Sequence, residues 1–314
     1  MKKIVTYCSF YVLFSFLLFA EGKVSGKVFY NHTTILDTSG DNAFNMKRAY
    51  LTFANDVSKT VSYKVTYDMG NNDGGSAHTA FLKIAMVKWR SGLGDISIGM
   101  QGMNMFKTME NTWGHRFIQK MPMDTYGFSH SADLGMGITR KLGPVSTSAL
   151  LMNGVGYKQL ENDKHKKLSV HLVYGEPKLN KKNGFNIGSS FSYEPYDKDS
   201  ITVNASNVVA TFFGYAGHGF RGGFEFDTKQ KDTTNSQIIC VYGTYKMSEK
   251  FSVLARLDHV DINTSIEKEG EQTIIAGVQY NIDNGLVIAP TFRITTPEKG
   301  DANNSIVVNF QFMF

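Results

Sequence analysis

Ser169 and His171 stand two residues apart in an alternating segment, so both side chains leave the same face, as a nucleophile and its base would. One strand cannot supply the rest of a hydrolytic site, and no enzyme is expected. His115 and His130 are too isolated for a zinc pair, and no metal site follows. Gly219-Phe220-Arg221-Gly222-Gly223 lacks the Lys and Ser or Thr of a phosphate loop and falls inside a strand. Asn204-Ala205-Ser206 fits a glycosylation tripeptide but lies within an alternating strand segment and carries no weight on its own. What remains are charged residues of both signs spaced every second position among apolar ones. Their chemistry is that of a wetted surface, with no covalent step and no cofactor.

The elements that position them are strands. From Ser305 to Phe314, Ile306, Val308, Phe310, Phe312 and Phe314 share one face, while Ser305, Asn309 and Gln311 share the other. Sixteen such segments follow one another, near 22–30, 44–54, 59–68, 80–90, 94–102, 131–140, 145–154, 167–175, 184–193, 200–210, 217–227, 237–246, 250–258, 271–280, 285–294 and 304–314. Ten residues at a rise of about 3.3 Å and a tilt of about 40° cover roughly 25 Å, the height of the apolar band of a membrane barrel. Connections alternate between short turns rich in turn formers and longer polar stretches at 31–43, 69–79, 103–130, 155–166, 228–236, 259–270 and 295–303. The basic 176–182 turn is long and the link at 194–199 short, so fourteen strands is the alternative if 184–210 holds fewer.

Composition agrees: 23 Phe, 15 Tyr and 30 Gly against 6 Pro favour pleated over helical structure. Lys2 and Lys3, an apolar run from Ile4 to Phe19 and a small residue at Ala20 read as a secretory signal over 1–20, leaving 21–314 as one barrel domain. Cys8 would leave with the signal, so Cys240 has no disulfide partner. The net charge of +5 says little about partners and gives no reason to expect nucleic acid. An open sheet would strand unpaired backbone groups in hydrocarbon, so the first and last strands must pair. The fold class is therefore an all-β transmembrane antiparallel β-barrel of sixteen strands, with short periplasmic turns and longer extracellular loops.

Fixing the lipid face fixes the inner one. Lys64 and Asp68, Arg221 and Glu225, Arg256 and Asp258, and Arg293 then point inward with Arg48 as a candidate lumen wall, without the bulky apolar side chains that would fill the bore. Phe29, Tyr30, Tyr67, Trp89, Tyr174, Tyr193, Tyr245 and Tyr280 lie near strand ends, as interfacial girdles require. Loop 103–130 has too many methionines and aromatics to float in water. Packed against the inner wall, with a helical turn near 104–111, it would bring Lys107, Glu110, His115, Arg116 and Lys120 to a constriction. An external or oligomer-contacting loop is the alternative.

Phe44-Asn-Met-Lys-Arg-Ala-Tyr-Leu-Thr-Phe53, followed by Val61-Ser-Tyr-Lys-Val-Thr-Tyr-Asp68, resembles the opening of the phosphate-selective porin family. The resemblance implies a sixteen-stranded homotrimer of the Gram-negative outer membrane, embedded in its lipid, that admits anions through a narrowed basic channel. Arg48 matches the second residue of that family's basic pair and faces inward. Lys47 falls on the opposite face, where it would snorkel. Here Lys and Arg are interspersed with Asp and Glu, and family members tend to be longer, so the likeness supports a pore more than it supports phosphate. The expectation is passive diffusion of small hydrophilic solutes and ions, with some preference for anions. The alternatives are a substrate-specific or hydrophobic-compound transporter and a non-conducting structural or adhesion barrel.

Overall fold

In a computed structural model, residues 22–36, 40, 42–70, 78–199 and 202–314 are described; the segment 1–20, expected to be a secretory signal, lies outside them. Sixteen strands follow in chain order: β1 Lys23–Ile35, β2 Asn42–Asp56, β3 Val61–Gly70, β4 Thr79–Ser91, β5 Gly94–Gly102, β6 Ala132–Leu142, β7 Val145–Met152, β8 Lys167–Gly175, β9 Gly184–Asp197, β10 Val203–Gly217, β11 Phe220–Lys231, β12 Thr234–Lys246, β13 Phe251–Asp261, β14 Gly270–Asp283, β15 Leu286–Pro297 and β16 Asn303–Met313. Each pairs antiparallel with its neighbours. The sheet closes where β1 meets β16, from Lys27 opposite Met313 to Ile35 opposite Ser305. Closure leaves no strand edge for lipid to meet, which is the condition for a sheet to span hydrocarbon.

The alternation sorts side chains as expected. On β13, Phe251 and Val253 are exposed outward while Leu254, Arg256 and Asp258 are buried inward. Tyr30, Tyr67, Trp89, Tyr174, Tyr193 and Tyr245 are exposed on the outer surface. Phe29 is not among them, because its parity turns it into the bore, where it meets Tyr50 and Phe117.

Two connections differ from the sequence reading. The supposed loop 228–236 is strand down to a tight Asp232-Thr233 turn with Asp232 at φ 54, since polar residues on the solvated ends of β11 and β12 pair as well as apolar ones do. β10 also continues to Gly217, and His218 and Gly219 turn with φ of 52 and 81, the left-handed pair that suits a two-residue hairpin.

Two β-bulges change which side chains enter the bore. In β2 the pairing with β1 skips Lys47, and in β4 the pairing with β3 skips Lys83. An inserted residue resets the parity of its strand. Lys47 therefore does not snorkel outward; it faces the interior beside Arg48. Lys83 likewise points inward and is 9% exposed.

Candidate channel constriction

Residues 103–131 leave the top of β5 and fold into the barrel, with the neck closed by the Met103 N–H donating to the Ser131 carbonyl at 3.2 Å. The loop contains two short helices, α1 Lys107–Trp113 and α2 Pro122–Thr125. Gly114 ends α1 in the left-handed conformation at φ 74, where its N–H reaches the Glu110 carbonyl. The helical turn thus lies slightly later than 104–111.

Apolar burial draws the loop inward. Met105, Phe106, Met109, Trp113, Phe117, Ile118, Met121 and Met123 are each 3% exposed or less, packed on inward-facing Val208, Phe212, Ile238, Tyr242 and Leu254. Each fully buried side chain of this size contributes about 1.5–3 kcal/mol. The inner wall is therefore not free of bulky apolar residues, contrary to the sequence expectation; on one side it carries them to receive the loop. Polar bonds fix the register. Ser169 Oγ donates to Asn104 Oδ1 at 2.8 Å, Ser190 Oγ to the Met105 carbonyl at 2.6 Å, and Tyr242 Oη to the Met109 carbonyl at 3.2 Å. His171 lies within 2.8 Å of Thr108 and 2.6 Å of Ser190, so Ser169 and His171 both hold the loop.

This packing redistributes the expected lumen wall. Glu225, Arg256 and Asp258 face inward but are 0–2% exposed beneath the loop, so they do not line the open side of the bore. Arg256 donates from Nε and Nη2 to Asp258 and lies over the Trp113 ring. Arg221, half-buried, is tied to the loop, donating to the Trp113 carbonyl and to His115 Nε2, both at 3.2 Å. His115 packs into the wall against Thr244 at 2.8 Å and is 3% exposed, away from any open passage.

The open side lies between the loop and β1–β4. Lys64 faces it from β3 and Lys107 from α1, both exposed. A cavity of about 390 Å³ is lined by Phe29, Lys47, Arg48, Arg116, Gln119, Lys120, Thr125 and Arg293, with no carboxylate. Arg48, Arg116 and Lys120 also line an adjoining space under Val155–Gln159.

These cations are not equivalent. Arg116 is held by Glu110 at 2.5 Å and Asp124 at 3.0 Å, and Lys107 by Glu110 at 2.6 Å. Asp68, fully buried, takes Lys83 at 3.1 Å, Arg48 at 3.5 Å and the Tyr157 hydroxyl at 2.7 Å. Lys47 instead donates to the Ile118 carbonyl at 3.0 Å, and Arg293 to Gln119 Oε1 at 2.7 Å, acceptors that carry no charge. Lys120 forms no ion pair among the described residues, although Asp124 is near enough to be felt. Lys47, Lys120 and Arg293 thus present charge that no contacting carboxylate cancels. Sequence parity gave Arg48, Lys64 and Arg293; it missed Lys47 and Lys83, which arrive by bulge, and Tyr157, which arrives by loop.

Two loop groups make its docking sensitive to acid. Burial, with Arg221 beside it, lowers His115 from 6.5 to about 3, in keeping with an Nε2 that accepts from Arg221. Burial alone would raise the Glu110 carboxyl, but Arg116 and Lys107 outweigh it and lower it from 4.5 to about 2. Below pH 6.5 a released His115 takes a proton that the docked one refuses, so its contribution declines as pH falls from 6.5 toward 3. The Glu110 contribution is complete above 4.5 and is lost as pH falls through 2. Acidification from pH 6.5 to 3 is expected to shift Trp113 emission toward that of a wetted indole while strand circular dichroism holds, in a Trp89→Phe background. A constant Trp113 spectrum down to pH 3 would contradict this.

No known family profile matches the chain, and no curated protein matches its sequence. Solved structures do match in shape. OmpF of Salmonella typhi, solved with daunomycin, superposes with a TM-score of 0.70 at 11% identity over 93% of this chain and 97% of that one. An anion-selective porin from Comamonas acidovorans gives 0.68 at 10% identity, covering 94% and 99%. OprB of Pseudomonas putida gives 0.67 at 13% identity, covering 96% of each. At such identities the likeness establishes architecture alone: the chain has the sixteen-stranded barrel fold of these porins.

Proposed function

We propose that the protein is a porin whose inward loop constricts a water-filled path for small hydrophilic solutes and ions, with a preference for anions. The observation that carries this reading is the open cavity beside the loop, lined by Lys47, Lys120 and Arg293, none of them in contact with a carboxylate, and by no carboxylate of its own. Fixed cations in a partly desolvated bore lower the cost of an anion and raise that of a cation. Solutes pass by diffusion, and no bond is made or broken. A transporter for hydrophobic compounds would need a lateral gap, whereas each strand here pairs with both neighbours. Reconstitution of residues 21–314 into planar bilayers tests the reading: unit current steps are expected, and a chain that inserts without conducting would contradict it.

A further inference from the structure

Seven turns close the end of the barrel that holds the chain termini. Six of them are two to four residues long, whereas the β8–β9 connection spans 176–183. It is not a slack excursion. The Lys181 and Lys182 N–H groups both donate to the Lys178 carbonyl, at 2.9 and 3.1 Å, winding a single helical turn. Asn186 Nδ2 holds the Glu176 carbonyl at 2.8 Å. Lys178, Lys181 and Lys182 point to water, but Leu179, the apolar residue among them, is 3% exposed.

Leu179 is buried because the turn folds back up into the mouth of the barrel, beneath α1. Its Cδ1, Thr112 Cγ2 from α1 and Asn186 Oδ1 from β9 converge on Gly214 of β10. A Cβ on that glycine would lie 3.0, 3.0 and 2.8 Å from them. Asn111, also on α1, donates to the Pro177 carbonyl at 3.3 Å. Glycine at 214 is what lets the three meet at the wall.

We propose that the 176–183 turn is a brace for the constriction, with Leu179 as the positioning residue that wedges α1 against β10 from below. α1 carries Lys107 and Glu110, and Glu110 in turn holds Arg116, so the brace sets where those charges stand in the bore. The inference rests on reading the inward loop as the constriction, but its test does not require conduction.

In a Trp89→Phe background, Trp113 reports on α1 alone, since the chain has two tryptophans and Trp113 is 1% exposed. Leu179→Asp keeps the turn in water, and acrylamide quenching of Trp113 is expected to rise severalfold, with excess open-channel noise in bilayers. Lys178→Gln with Lys182→Gln, which removes charge but no wedge, should leave both unchanged. If Leu179→Asp does not fold, Leu179→Ala with Asn111→Ala is read in the same way. Trp113 quenching equal to the parent's in a folded wedge variant would overturn the brace. Absence of current from the parent chain would overturn the pore reading and leave the quenching result intact.

Discussion

Arg256→Leu is expected to lower the free energy of unfolding by about 3–5 kcal/mol, the cost of leaving a buried charge partner uncompensated. Arg256 is bonded to Asp258 through two nitrogens, with Nη2 at 2.8 Å, and the pair is 0% and 2% exposed at the side chains. Glu225 of β11, across Cys240 of β12 from Asp258, feels the same guanidinium, with Asp227 two residues along β11. Leucine would leave Asp258 and Glu225 under the loop without their cation and would remove the cover on Trp113. Because the buried pair costs desolvation, Arg256→Met with Asp258→Leu should regain most of the loss. Urea unfolding from detergent micelles measures both. A single variant within about 0.5 kcal/mol of the parent, the ordinary range of surface substitutions, would contradict the assignment.

The second large effect is on selectivity. Replacing Lys47, Lys120 and Arg293 together by glutamine keeps polar side chains along the cavity and removes three unpaired charges. In a wetted bore each is worth about 1 kcal/mol at about 4 Å. Screening at about 0.1 M salt leaves a total of about 1–2 kcal/mol, roughly a tenfold fall in the anion-to-cation permeability ratio. Arg116→Gln alone removes one positive charge and uncovers Glu110 and Asp124, so it should move selectivity about as far as any single member of the triple variant. An unchanged ratio in the triple variant would remove these residues from the path.

The period of two carried most of the fold. It located sixteen strands in order and set the facing of β3, β11, β13, β15 and β16, since a charge turned toward lipid is costly and the alternation records that cost. It failed at Lys47 and Lys83, because a bulge inserts one residue and shifts parity without any change of composition. A trace was present: Lys47 and Arg48 are adjacent, and two neighbouring cations cannot both face inward along an unbroken strand. The second miss was the apolar inner wall. Ile238-Ile-Cys-Val-Tyr242 has no alternation at all, the mark of a strand buried on both faces, here by lipid outside and by the loop within. Which charges the loop would cover depended on contacts between Trp113, Met121 and Arg256, distant in sequence and joined only by folding.

The sign of the charge that crosses bears most directly on this account. A single channel of residues 21–314 in a planar bilayer, under a gradient of potassium chloride, has a reversal potential set by which ion passes more readily. The basic cavity predicts a potential displaced toward chloride equilibrium, and its displacement should shrink in the Lys47, Lys120 and Arg293 variant. A reversal toward the potassium potential would contradict the account.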